Sequence, residues 1–214
     1  PRLPQDCAND IVQTLMPMVD PQVKQILLSM ARNAPGLAAK YDDADVVTIS
    51  IHQERNYTLD TGDAKHTGGP SAALSNLNIP LLPGGGHDTY LYALHRLVIP
   101  KLLAFKPDIV IVACGFDASG VYPLSRMLCG SDTFAEMTNA LMQITGNRLV
   151  MAHEGGYSEV HVPFCGHSVL EQLSGSSVTA DDPLRARILG QQPDDSLNQL
   201  QAKRIDDIAG LHHL

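Results

Sequence analysis

Residues 108–119 read D-I-V-I-V-A-C-G-F-D-A-S, an apolar run rich in β-branched residues that stops at a glycine and then holds up one carboxylate, Asp117. A short continuous apolar run bounded by turn residues marks a strand buried on both faces, as in a parallel sheet. Residues 148–157, R-L-V-M-A-H-E-G-G-Y, repeat the pattern: an apolar run, the paired glycines Gly155 and Gly156, then Tyr157. Two strands thus deliver a carboxylate and a phenol to one rim, and in open α/β sheets ligands gather outside the carboxyl ends of the strands. A plainer alternative stands beside this one, in which Asp117 caps the next segment and Gly155-Gly156-Tyr157 is a turn with a packed ring.

Outward from these two strands the chain alternates. Residues 88–105 place Leu91, Leu94, Val98 and Leu102 at helical spacing, with Asp88 as the cap and Pro100 as a kink. Residues 131–145 form a second helix, opened by Ser131-Asp132 and stopped by Gly146-Asn147. Upstream, V-V-T-I-S-I-H at 46–52 reads as a strand, 56–75 as a long polar loop, and 77–82 as a short strand ending at Pro83-Gly84-Gly85-Gly86. The glycine triplet before a helix invites an anion-binding reading. It lacks both G-x-G-x-x-G and G-x-x-x-x-G-K-[ST], so a close strand-to-helix turn is the better reading. Residues 163–173 read as a helix, and the polar tail beyond 176 carries helical patches at 183–189 and 196–208 and is expected at the periphery. Helix followed by buried strand, twice over, gives an α/β fold with a parallel sheet and crossovers.

Composition narrows the function classes. The chain has 214 residues, 44% of them hydrophobic, which suits one globular domain or a large piece of one. A net charge of −8 argues against a nucleic-acid partner gripped through phosphates and would suit a cationic ligand better. No apolar run approaches the length of a membrane span and no leader pattern opens the chain, so a cytoplasmic location is expected. Cys7, Cys114, Cys129 and Cys165 lie far apart without C-x-x-C, which supports neither a disulfide framework nor a cysteine zinc site. The nine histidines show no H-x-x-x-H or H-x-H spacing, so local spacing gives no zinc site, although ligands from separate strands would escape that test. His153, at a strand end, reads as a supporting residue rather than a ligand.

Beyond composition, several segments occur in a telling order. Tyr41-Asp42-Asp43 leads into V-V-T-I-S-I-H-Q; then come Asp60-Thr61-Gly62, N-L-N-I-P-L-L-P-G-G-G-H-D-x-Y, G-F-D-A-S with Pro123-Leu124, E-G-G-Y-S, and Pro163-Phe164-Cys165-Gly166. Together they resemble the carboxyl-terminal half of the zinc-dependent histone deacetylase and acetylpolyamine amidohydrolase family, the bacterial class II-like deacetylases above all. The resemblance covers about residues 41–175; residues 1–40 and the tail at 176–214 carry little of it. It implies a three-layer α/β/α architecture, part of the arginase/deacetylase fold, with a mainly parallel sheet. It also implies hydrolysis of an acetylated lysine, acetylated polyamine or other small amide. In the carry-over Asp117 matches a zinc-binding aspartate, Tyr157 matches the phenol that donates to the tetrahedral oxyanion, and Gly155 and Gly156 line the acyl-lysine channel. Tyr122, before Pro123, stands where related sequences often carry Asp and reads as a rim substitution.

The departures matter as much. The family draws two further zinc ligands from an Asp-x-His strand end just before the segment matching Tyr41, whereas residues 29–40 here read S-M-A-R-N-A-P-G-L-A-A-K. The paired histidines of the general base are also missing, since no His precedes His52. A truncated or rearranged copy is therefore expected, inactive by itself. The rival expectations are a non-catalytic α/β binding module, a split enzyme completed by a complementary fragment, and a homo-oligomer.

Overall fold

Every described strand runs in the same direction. The computed structural model describes residues 25–28, 41–56 and 62–214. Within them β1 (Gln25–Leu28), β2 (Val46–Gln53), β3 (Asn76–Leu81), β4 (Ile109–Cys114) and β5 (Leu149–His153) form one parallel sheet in the order β3-β2-β1-β4-β5. The α/β class and the parallel sheet expected from the sequence are both present. Cys7, Asp60-Thr61 and the 29–40 stretch lie outside the described residues, as does the rest of 1–40 apart from β1.

Side chains alternate along each strand, so one parity of each supplies a face. Val47, Ile49 and Ile51 of β2 share a hydrophobic cluster with Leu77, Ile79 and Leu81 of β3 and with Val110 and Cys114 of β4. The helices close over that cluster. They are α1 (His87–Ala93), α2 (Ile99–Phe105), α3 (Ser131–Thr145) and α4 (Val162–Ser174); α5 (Arg185–Leu189) instead packs Ile188 near Gly120 and Gly130, and α6 (Asp195–Leu211) closes over the cluster again. Left-handed Gly146 and Gly175, with φ of +58° and +64°, end α3 and α4, as glycines past a helix end do.

Three sequence expectations change. The irregularity expected at Pro100 begins ahead of it, as a π-helical turn, Leu94–Val98, in which Ile99 N–H reaches back to the carbonyl of Leu94. Pro100 then sits in the first turn of α2, directly after that π-helical turn. Asp88 is not the cap of α1, because the helix starts one residue earlier at His87 with Gly86 before it. The orphan N–H of His87 goes to Gln192 Oε1 at 2.8 Å instead.

Gln192 introduces the third change: the tail is not peripheral. Ile188, Ile205, Ile208 and Ala209 are buried, and Gln201 is fully buried. Gln201 accepts from Leu82 N–H at 3.1 Å and donates to Leu82 O at 2.8 Å. Gln201, Gln192 and Met127 occupy the space around Gly85 and Gly86 that an anion would need, so the glycine triplet is a packed turn, with Gly84 at φ +90°. Among the described residues no helix is long and apolar enough to cross a membrane.

Candidate functional site

β4 and β5 are neighbours in register, Cys114 opposite His153, so the residues that follow leave the sheet side by side. The backbone stitches the two exits together: Glu154 N–H donates to Cys114 O at 3.3 Å and Phe116 N–H to Gly155 O at 2.8 Å. Phe116 turns inward, packing edge-on against Phe134 at 5.0 Å between ring centroids and alongside His153 at 5.2 Å. Next to the anchored Phe116, the half-buried Asp117 carboxyl lies against the backbone of Gly115 and Gly155.

The glycines make this possible. A Cβ on Gly155 would overlap the Asp117 carboxyl, lying 2.7 Å from its Cγ, and one on Gly115 would lie 2.8 Å from Oδ2. Gly156 has φ +103°, and a Cβ there would meet Phe116 Cβ at 2.8 Å. Each of these approaches is closer than a side-chain-bearing residue permits. The structure thus places Asp117, Gly155 and Gly156 in one cluster.

Burial pushes the Asp117 carboxyl above the usual carboxylate range, against the N–H groups of Gly156 and Asp117 itself, the Tyr122 hydroxyl and nearby His153, all of which favour the charged form. Tyr122 is the residue that sequence reasoning underrated. Its hydroxyl donates to Asp117, and its ring lies 5.9 Å from that of Tyr157, tilted by 41°. Tyr157 is 58% exposed. Asp117, Tyr122 and Tyr157 therefore form a continuous line from half-buried carboxyl to solvent-facing phenol. The signal for Tyr122 was its position five residues after Asp117 on a turn, which brings its side chain back over the carboxyl.

Glu154 is a second residue with unusual chemistry here. Its Oε2 is buried with no hydrogen-bond partner, and burial raises its carboxyl from an ordinary 4.5 to about 7. An apolar cavity of about 80 Å³ lies below, between the sheet and the helices, bounded by Cys114, Gly115, Tyr90 and Phe134 among others. Asp117 and Tyr157 do not line it. The candidate chemistry sits at the rim above.

A catalytic zinc generally takes three protein ligands with one position open. Among the described residues no group of three His, Cys, Asp or Glu side chains gathers to hold a metal. Asp117 has a ligand's chemistry, a half-buried carboxyl among glycines at the strand tips, but the described residues by themselves do not fit a catalytic metal.

Known proteins are similar to this chain in sequence and in fold. Residues 37–173 match the model of the histone deacetylase domain. The chain is 45% identical over 176 residues to a histone deacetylase-like amidohydrolase of Pseudomonas aeruginosa, a match covering 80% of this chain and 46% of that protein. It is 32% identical over 142 residues to histone deacetylase clr3 of Schizosaccharomyces pombe, covering 64% of this chain and 21% of that one. The solved structure of the histone deacetylase Clr3 superimposes with a TM-score of 0.74 at 26% identity, covering 96% of this chain and 33% of that one. The HDA15 HD domain superimposes with a TM-score of 0.68 at 24% identity, covering 86% and 55%, which speaks for a shared fold. The chain spans about half or less of the length of the curated relatives named here. With the domain model matched over most of its length, the chain belongs to the histone deacetylase domain family.

Proposed function

We propose that this chain carries part of the active site of a deacetylase-type amidohydrolase that removes acetyl groups from acetyl-lysine, acetylated polyamines or related small amides in the cytoplasm. In this reading Asp117 is one ligand of a zinc ion, and Tyr157 donates a hydrogen bond to the oxyanion that forms as the amide carbonyl becomes tetrahedral. Such a donor is worth most when it is aimed before charge develops. Contact of the Tyr157 ring with Tyr122 supplies part of that aim. Gly155 and Gly156 let backbone approach an acyl-lysine chain closely. The observation that carries the reading is the continuous contact from Asp117 through Tyr122 to Tyr157 at the tips of adjacent strands.

The remaining ligands and the base are supplied from outside the described residues, and the chain by itself is inactive. A second reading, a non-catalytic module that keeps an acyl-lysine-sized groove, draws on the absence of a three-ligand group among the described residues. One experiment decides between them. The chain is joined to the portion of the Pseudomonas amidohydrolase that its match leaves out, loaded with zinc, and assayed for acetate release from an acetyl-lysine peptide with and without chelator. Expected are chelator-sensitive turnover in the chimera, none in the isolated chain, loss of turnover in Asp117→Ala, and a drop of about 10² to 10³ in Tyr157→Phe. A folded, zinc-loaded chimera without turnover would favour the module. Full turnover in Asp117→Ala would remove that residue from the metal.

A further inference from the structure

A buried polar chain that the proposed chemistry does not use runs directly behind the site. Ser119, two residues beyond Asp117, lies 2.6 Å from His161 Nδ1 through its Oγ. His161 Nε2 lies 3.0 Å from Asp182 Oδ2, and the same oxygen accepts from Ser131 Oγ at 2.7 Å. Asp182 Oδ1 accepts from Leu184 N–H at 2.9 Å. Ser119 is 1% exposed, His161 0% and the Asp182 side chain 4%.

One hydrogen arrangement joins Ser119, His161 and Asp182, with Cys165 Sγ packed 3.5 Å from His161 Nδ1. Ser119 Oγ accepts from Val121 N–H at 3.4 Å and donates its own hydrogen to His161 Nδ1, while Nε2–H donates to Asp182. The order serine, histidine, aspartate resembles a nucleophile relay, but Ser119 is sealed from any substrate. The chain's placement gives it a different use. Ser119 is the hub of the turn that carries Asp117 and Tyr122: its N–H goes to Phe116 O and its carbonyl accepts from Tyr122 N–H, both at 3.0 Å. His161 closes the turn after Tyr157: its N–H goes to Ser158 O at 3.1 Å, and its carbonyl receives Phe164 and Cys165 N–H at the start of α4. A single imidazole therefore bridges the two loops, and Asp182 with Ser131 fixes its plane from the far side.

Buried polar networks contribute little to stability relative to apolar packing of the same volume, but a fully satisfied one specifies a single arrangement. We propose that His161 is a positioning residue that locks the Asp117–Tyr122 turn to the Tyr157 turn, with Asp182 of the carboxyl-terminal segment holding its ring. The inference rests on the reading of Asp117 and Tyr157 as the working pair. Its test is read on the isolated chain, without turnover.

Amide hydrogen exchange is followed by NMR in the wild type, in Ser119→Ala, in His161→Phe and in Leu141→Ala, a core variant away from the network that serves as the control for lost global stability. After normalising to global stability, His161→Phe is expected to speed exchange about tenfold in both turns, 117–122 and 158–162, relative to the control. Ser119→Ala is expected to speed it in the first turn alone. The proposal is overturned if exchange in both turns follows global stability, as in Leu141→Ala, or if Ser119→Ala leaves the first turn unchanged. Should His161→Phe not fold, the Ser119→Ala pattern alone decides. Failure of the deacetylase reading would instead appear as an inactive chimera with this exchange pattern intact.

Discussion

Two glycine-rich turns stand at the strand ends of this sheet, and they are filled in opposite ways. The turn after β3, Gly84 to Gly86, is packed by side chains that arrive from more than a hundred residues away, Gln192 and Gln201. Gly115, Gly155 and Gly156, at the exits of β4 and β5, are packed around groups of those same exits, the Asp117 carboxyl and the Phe116 backbone. Glycine at a strand tip therefore signals close approach without saying what approaches. In the first turn flexible amides cap backbone groups, and the result is structure. In the second a short, partly desolvated carboxylate is held against backbone at the strand tips, and the result is the candidate site.

The sharpest way to break the comparison is to add a methyl group at each turn. Gly155→Ala forces a Cβ onto the whole Asp117 carboxyl, which cannot swing away without losing its bonds from Gly156 and Tyr122. A loss of about 3 kcal/mol in urea unfolding is expected, together with displaced Tyr122 and Tyr157 ring resonances. An unshifted midpoint would mean that the carboxyl is free to move. Gln201→Ala comes next: it leaves both Leu82 backbone groups without their buried partner and opens a void, for a loss of about 2 kcal/mol. Gly86→Ala is milder. Its Cβ meets the end of the Gln192 side chain, with Cδ at 2.9 Å, and Gln192 can rotate at the cost of its cap on His87 and its bonds to Leu128 O and Ile188 O, for about 1.5 kcal/mol. If Gly86→Ala proved as damaging as Gly155→Ala, the contrast between flexible and pinned fillings would be lost.

The same contrast explains what the sequence could reveal. β2, β3, β4 and β5 are legible because each is an apolar or β-branched run closed by glycine, proline or charged residues, and Asp117 and Tyr157 are legible because they follow such runs directly. β1 is not: Gln25-Ile26-Leu27-Leu28 is too short for periodicity to separate strand from helix, and its place depends on pairing with both β2 and β4. Gln192, Gln201 and Asp182 are polar residues in a polar tail, and nothing local distinguishes a glutamine that caps a distant strand from one in water. His161 likewise acquires its role from partners far along the chain, Ser119 and Asp182, whereas Tyr122 is local to Asp117 and was legible only as a turn residue.

The smallest effect belongs to Glu154, which lies between His153 at the end of β5 and Gly155 and has a buried oxygen without a partner. Its carboxyl rises from an ordinary 4.5 to about 7 because burial disfavours the charged form. Below pH 4.5 it is protonated in both the folded and the unfolded chain and has no effect on their balance. As pH rises through 4.5 the unfolded chain releases this proton while the folded chain still holds it, so the folded state loses ground progressively, and the loss is complete above about 7. Glu154→Gln removes the ionisation while keeping shape and polarity. The variant is therefore expected to match the wild type at pH 4 and to exceed it at pH 8, by less than any of the changes above because the residue is only half-buried. Urea midpoints at the two pH values measure the difference. A variant that is less stable than the wild type at pH 8 would mean that Glu154 is charged and paired in the folded chain, and the β5 exit would then hold a second anionic group beside Asp117.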